Sequence, residues 1–330
     1  SAVPSQIKTF FKRTVDTGIA HGTVTIMIDK TGYEVTTYRI DGEYEDGRHP
    51  KSVEFSDRLV DDLCRRDFTI NAMAYNDTDG FVDEFKGLDD LDTKIIRCVG
   101  EPELRFTEDA LRMMRAIRFS AQLGFTIDEA TWNAIKKLSP SISKISMERV
   151  HVELGKTLMS AHPDYVAQYS EAGLFAPILP VIDNALKSRY KRKILATLQH
   201  TPDNIYLRYA ALFITSTPDE AAKTLRALKL DNKTVNTVSK LVELSKMDIE
   251  ETEPAVRTAL NKYGRDFLTL WHELMMAVIQ ASEDITGISN PAKVKHLLTL
   301  KRLGTDILAR GDCFTIKDLD ISGNDLIEYG

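Results

Sequence analysis

Strand-like patterning stops at about residue 101, and helical patterning runs from there to the end. This switch predicts an α+β chain: a mixed α/β head, then an all-α body. In the head, a short helix is expected over 5–12. Gly22–Ile28 and Tyr33–Ile40 are rich in β-branched and aromatic residues, and Asp29–Gly32 between them signals a hairpin. A charged, turn-rich loop is expected over 41–50, a helix over 53–66, a strand over 81–85, a turn over 87–91 and an extended segment over 95–100. Beyond it, helices are expected over 127–138, 147–159, 163–173, 187–200, 207–214, 219–228, 234–244, 253–263, 267–281 and 292–309, punctuated by Pro and Gly. Residues 321–328 read as a capped helix start.

A chain of 330 residues is too long for one ordinary core. Its 43% hydrophobic and 28% charged content describes a water-soluble protein, and no apolar run approaches the ~18–20 residues of a membrane span. Three widely spaced cysteines, an odd number, predict a reducing cytoplasmic setting and no zinc site. The net charge of −6 is uneven: residues 41–62 are acidic. Basic residues cluster later, at Lys187, Arg189, Lys191, Arg192 and Lys193, then Lys223, Arg226, Lys229 and Lys233. Such clusters suit phosphate backbone, or are solvated helix faces.

Residues 105–124 read as one helix. Thr107 is the expected N-cap, with Glu108 and Asp109 in the first turn and Gly124 as the C-terminal stop. Ala110, Met114, Ile117 and Ala121 share one face; Asp109 and Arg112 lie one turn apart off it. A carboxylate only accepts hydrogen bonds and a guanidinium only donates, so together they can read the mixed edge of a nucleobase. The plainer reading is a surface ion pair of ~0.2–0.5 kcal/mol. Upstream, Arg65, Arg66, Asp67 and Asn71 sit beside apolar Phe68, Ile70 and Met73. Arginines suit phosphate, and Asp and Asn suit ribose hydroxyls. Glu34, early in a strand, is either a metal ligand or a solvent-facing residue.

Residues 65–74, 87–100, 105–125 and 145–154, in this order and spacing, resemble class II tRNA nucleotidyltransferases, the CCA-adding enzymes and related bacterial poly(A) polymerases. The resemblance covers about the first 160 residues and continues faintly through 225–233. It implies a polymerase-β-like nucleotidyltransferase head with a mixed or antiparallel sheet over 1–103, a helical neck over 104–160, a tRNA-binding body over 161–250 and a partial tail over 251–330. It implies that Asp109 and Arg112 hydrogen-bond the base of CTP or ATP, that Arg66, Asp67 and Asn71 hold triphosphate and ribose, and that Arg115 joins this set. Glu34 would stand near a Mg²⁺ pair, the loop from Arg39 to Pro50 would reset specificity, and Glu148 and Arg149 would brace the neck. Lys187, Arg189, Lys191, Arg192, Lys193, Lys229 and Lys233 would grip the tRNA acceptor arm.

The resemblance has gaps. The Gly-Gly phosphate turn and the Asp-x-Asp metal pair of such enzymes are missing; they are expected just ahead of Ser1, with more tail after Gly330. The chain alone is therefore expected to be inactive in transfer. Residues 206–214 lack a His-Asp pair, so no phosphohydrolase activity is expected. His21 is expected to be structural, and His151, His272 and His296 to be packing or surface residues rather than ligands. Two alternatives stay open: poly(A), CC-only or A-only addition, and a non-catalytic RNA-binding protein on a decayed head.

Overall fold

The computed structural model describes residues 2–19, 22–42, 52–313 and 323–328. Most of the predicted 41–50 loop, and His21, lie outside them. The chain forms two compact units, Ser1–Arg149 with Glu171–Pro177, and Val150–Ser170 with Ile178–Gly330.

The first unit is α+β. In order it contains α1 (Pro4–Phe10), β1 (Thr14–Gly18), β2 (Thr23–Ile28), β3 (Thr31–Thr36), β4 (Arg39–Asp41) and β5 (Val53–Phe55). Next come α2 (Leu59–Cys64), a single 3-10 turn (Thr69–Asn71), β6 (Ala74–Asn76), β7 (Gly80–Val82), α3 (Gly87–Asp92) and β8 (Ile95–Ile96). Then follow α4 (Pro102–Glu108), α5 (Leu111–Leu123), β9 (Thr126–Ile127), α6 (Glu129–Leu138) and α7 (Met147–Leu158), inside which the two units divide. Strands β1-β2-β3 form an antiparallel sheet; β4-β5 and β6-β7 are antiparallel pairs, and β8-β9 is a parallel pair.

The predicted hairpin is present. Its turn is Asp29-Lys30, with φ of 46° and 69°, between the paired residues Ile28 and Thr31. Two successive positive φ values match the right-handed twist of the strands. Three other expectations need correction. The strand over 33–40 ends at Thr36, and Thr37, buried, donates its hydroxyl to Ala2 O at 2.8 Å. The helix over 53–66 starts only at Leu59, because Val53–Phe55 pair with Arg39–Asp41. Strand pairing there overrides local helical pattern. The turn over 87–91 is helix α3, started by Asp83, whose carboxylate accepts from Gly87 N at 2.7 Å and Leu88 N at 2.9 Å.

The fourth correction matters most. Residues 105–124 are not one helix: α4 ends at Glu108, Asp109 is extended (φ −146°, ψ 104°), and α5 begins at Leu111. Thr107 is no N-cap; its hydroxyl donates within α4 to Glu103 O at 2.7 Å. Asp109 takes that part, accepting from Leu111 N at 3.0 Å. Gly124 stops α5 in the left-handed region, at φ 68°. The stripe of Ala110, Met114, Ile117 and Ala121 is buried as the periodicity predicts.

The second unit is helical: the end of α7, then α8 (Val166–Glu171), α9 (Pro180–Lys187), α10 (Lys191–His200), α11 (Ile205–Leu212) and α12 (Pro218–Ala227). After them come α13 (Asn232–Leu244), α14 (Glu253–Tyr263), α15 (Phe267–Thr286), α16 (Pro291–Ala309) and α17 (Gly323–Glu328). Helix α9 was not anticipated. Helices α10 and α15, α12 and α13, and α15 and α16 pack as neighbours. Caps set their starts: Thr217 and Glu220 form a capping box on α12, and Asp231 accepts from Thr234 N at 2.9 Å on α13. Among the described residues no helix is long and apolar enough to cross a membrane.

Two predictions follow from packing. A Cβ on Gly87 would lie 2.4 Å from Thr69 O and 2.9 Å from Met73, where α3 meets the 3-10 turn. Gly87→Ala is expected to lower unfolding free energy by about 1–3 kcal/mol in urea titration. His272 Nε2 is buried without a hydrogen-bond partner among the described residues, and burial, helped by the charge of Lys301, lowers the His272 pKa below 6.5. The unfolded chain therefore binds the extra proton first, and stability falls as pH drops through the window just below 6.5. His272→Leu is expected to flatten that slope in urea titrations at about pH 7.5 and about pH 5.5.

Candidate functional site

A cleft of about 560 Å³ opens in the first unit, lined by Arg65, Arg66, Asp67, Asn71, Asp109, Leu111, Arg112, Arg115, Phe119 and Arg149. Five guanidinium groups meet two carboxylates there, which favours an anionic ligand. The side chains come from the end of α2, the 3-10 turn, the α4–α5 break, α5 and the start of α7.

Asp67 is buried and holds the floor. Its Oδ1 accepts from Phe68 N at 3.0 Å and Asn71 Nδ2 at 3.2 Å, and its Oδ2 accepts from Arg115 Nε at 2.6 Å. The Asp67 carbonyl accepts from Val99 N at 3.1 Å, and Thr69 N donates to Arg97 O at 2.9 Å. The loop is thus tied to the segment carrying Cys98, whose thiol burial pushes up to about 12. Cys98 therefore acts as a protonated core residue, not a nucleophile.

Arg66 donates to Asn71 O at 3.2 Å and to Asp62 Oδ2 at 3.1 Å. Arg112 donates to Glu108 Oε2 at 2.5 Å, Arg105 O at 3.2 Å and Arg65 O at 3.0 Å. Arg149 holds Asp109 in a two-pronged bond, with Nη2 to Oδ2 at 2.6 Å and Nη1 to Oδ1 at 3.2 Å. With Leu111 N this fills three of about four acceptor positions on the carboxylate. The hydrogen bonds of Asp109 thus go to Arg149 and to the Leu111 backbone.

The structure brings together six of the residues singled out from sequence: Arg66, Asp67, Asn71, Asp109, Arg112 and Arg115. Glu34 is not among the lining residues; it is exposed on β3 opposite Thr25. Among the described residues no group of three His, Cys, Asp or Glu is placed to hold a metal ion. The basic residues lie in the second unit, several already engaged. Lys187 pairs with Asp183 at 2.8 Å, Arg189 lies over the Tyr190 ring at 4.9 Å, and Arg192 donates to Asp284 O at 3.5 Å. Lys233 lies 5.9 Å from the Tyr206 ring centroid, Lys229 follows α12 at φ 60°, and Lys193 lines an apolar-floored cavity of about 600 Å³ near Trp271. Lys191, on the first turn of α10, is likewise engaged.

Sequence reasoning missed Asp62 and the Arg105–Glu108 pair at 2.5 Å. The signal for Asp62 was available: it precedes Arg65 and Arg66 by three and four residues at the end of α2.

Residues 1–97 match the poly A polymerase head domain, and residues 124–186 match the probable RNA and SrmB-binding site of polymerase A. The whole chain aligns at 41% identity with the CCA-adding enzyme of Latilactobacillus sakei subsp. sakei, spanning 79% of that protein. The chain belongs to the CCA-adding enzyme family. Its fold matches a crystal structure of the Bacillus stearothermophilus CCA-adding enzyme in complex with CTP: TM-score 0.72, 30% identity, all of this chain and 77% of that one. The CCA-adding enzyme of Ligilactobacillus salivarius is 53% identical over 163 residues, 49% of this chain and 40% of its own length. Against several such curated relatives, the chain spans only 40–63% of their length.

The Asp109–Arg149 bond gives a direct test. Both side chains are partly exposed, 16% and 22%, so solvent weakens the pair. Arg149→Ala is expected to lower unfolding free energy by about 1–2 kcal/mol in urea titration, and Arg149→Lys to restore little of it, because an ammonium cannot present the fork.

Proposed function

We propose that this chain selects and holds the incoming nucleotide in template-free addition of C and A, from CTP and ATP, to the 3′ end of tRNA. Asp109 and Arg112 read the base edge, one as acceptor and one as donor. Arg66 and Arg115 take the triphosphate, and Asp67 and Asn71 the ribose hydroxyls. The observation that carries this reading is the cleft wall itself: an acceptor-only and a donor-only side chain, each fixed by internal partners before any base arrives. A wrong base leaves one of them unpaired, at about 1–3 kcal/mol. The membership of the chain in the CCA-adding family supports the choice of nucleotides and of tRNA over a poly(A) or non-catalytic reading.

Magnesium belongs to this reading as the counter-ion of the triphosphate, but the described residues do not fit a Mg²⁺ centre. Glu34 is a single exposed carboxylate outside the cleft lining, and no group of three His, Cys, Asp or Glu stands together among the described residues. No step here is derived through the metal. We assign residues 1–103 to the nucleotidyltransferase head, 104–160 to the neck, 161–250 to the tRNA-binding body and 251–330 to the tail. These functional parts cut across the compact units, which divide within α7. The exposed Lys229 and half-buried Lys191, with Lys187, Arg189, Arg192, Lys193 and Lys233, are assigned to tRNA phosphates.

Nucleotide titration calorimetry tests the base-reading roles. Asp109→Ala and Arg112→Ala are expected to lose most of the CTP-over-UTP preference while keeping affinity for inorganic tripolyphosphate within about threefold. Arg66→Ala is expected to weaken CTP, UTP and tripolyphosphate alike. An unchanged CTP-to-UTP ratio in both Asp109→Ala and Arg112→Ala would overturn the reading.

A further inference from the structure

The Asp62 carboxylate is buried, with 4% of the residue exposed, at the end of α2. It accepts three N–H bonds from the next two arginines: Arg65 Nε at 3.0 Å and Nη2 at 2.7 Å, and Arg66 Nη2 at 3.1 Å. A buried carboxylate is retained at low cost only when it is so paired. The bond to Arg65 closes the last turn of α2, where Arg65 is the C-cap residue (φ −82°, ψ −6°).

Helix ends leave carbonyls without intrahelical partners. Here two of them point at guanidinium groups across the cleft base. Arg65 O accepts from Arg112 Nη2 at 3.0 Å, and Cys64 O accepts from Arg105 Nη1 at 2.9 Å. Glu108 then bridges Arg105 and Arg112, at 2.5 Å to each. The direction of Arg112, on α5, is therefore set from the end of α2 as well as from Arg105 and Glu108 on α4. One carboxylate stands behind both the phosphate-side Arg66 and the carbonyl that aims Arg112.

We propose that Asp62 is a positioning residue for base selection, acting through the Arg65 C-cap on Arg112, besides orienting Arg66 toward phosphate. This rests on the nucleotide-selecting role proposed above. It separates Asp62 from an ordinary stabilising ion pair, because an ordinary pair affects the folded fraction and not the choice of base.

The test is titration calorimetry of the chain with CTP, UTP and inorganic tripolyphosphate. Asp62→Asn, folded by circular dichroism, is expected to bind tripolyphosphate and CTP about tenfold more weakly and to lose at least about fivefold of its CTP-over-UTP preference. Asp62→Glu is expected to recover part of both. Arg65→Gln keeps the Asp62 charge but cuts the link, so it is expected to lose the base preference too, and it decides the matter if Asp62→Asn does not fold. A folded Asp62→Asn or Arg65→Gln with the wild-type CTP-to-UTP ratio overturns the proposal and leaves the nucleotide-selecting role intact. A wild-type chain that binds CTP and UTP alike overturns both.

Discussion

The two-pronged bond between Arg149 and Asp109 is the constraint around which the first unit is arranged. It holds the carboxylate out of the helical path, at an extended backbone position between α4 and α5. A continuous helix over 105–124 would aim Asp109 and Arg112 in nearly the same direction, one turn apart, where they would neutralise each other. Breaking the helix gives each its own counter-charge: Arg149 for Asp109, and Glu108 for Arg112. Each then presents its remaining hydrogen-bonding capacity to the cleft rather than to its neighbour.

The arginines show the same economy. Asp62 carries Arg65 and Arg66, Asp67 carries Arg115, Asp109 carries Arg149, and Glu108 with the Arg65 carbonyl carries Arg112. Guanidinium groups crowded around about 560 Å³ would otherwise repel one another. Five arginines against two carboxylates line the cleft, and Asp62 adds its charge from a buried position. Helix α3 supports this layout. Helix α3 presses on the Thr69–Asn71 turn, at a distance only glycine allows, and so fixes Asn71.

Much of this was legible in the sequence, for definite reasons. The change of period near residue 101, the Asp29-Lys30 hairpin, the Gly124 stop and the buried stripe on α5 are local signals, and local signals were enough. The polar residues of the cleft were legible as types suited to phosphate, ribose and base edges. The break at Asp109 was not, because its cause lies forty residues away at Arg149. The start of α2 was misplaced because Val53–Phe55 answer to β4 and not to their own helical pattern. The helix α3 was read as a turn because its cap, Asp83, stands outside the helix it starts.

Each guanidinium lining the cleft already has an internal acceptor. An arginine side chain has about 2 kcal/mol of rotamer freedom to lose on immobilisation. That loss is taken during folding, not when a ligand arrives. A ligand of the kind proposed would therefore meet a wall already ordered, at small entropic cost, and a poorly matched base would find little in it that could adapt.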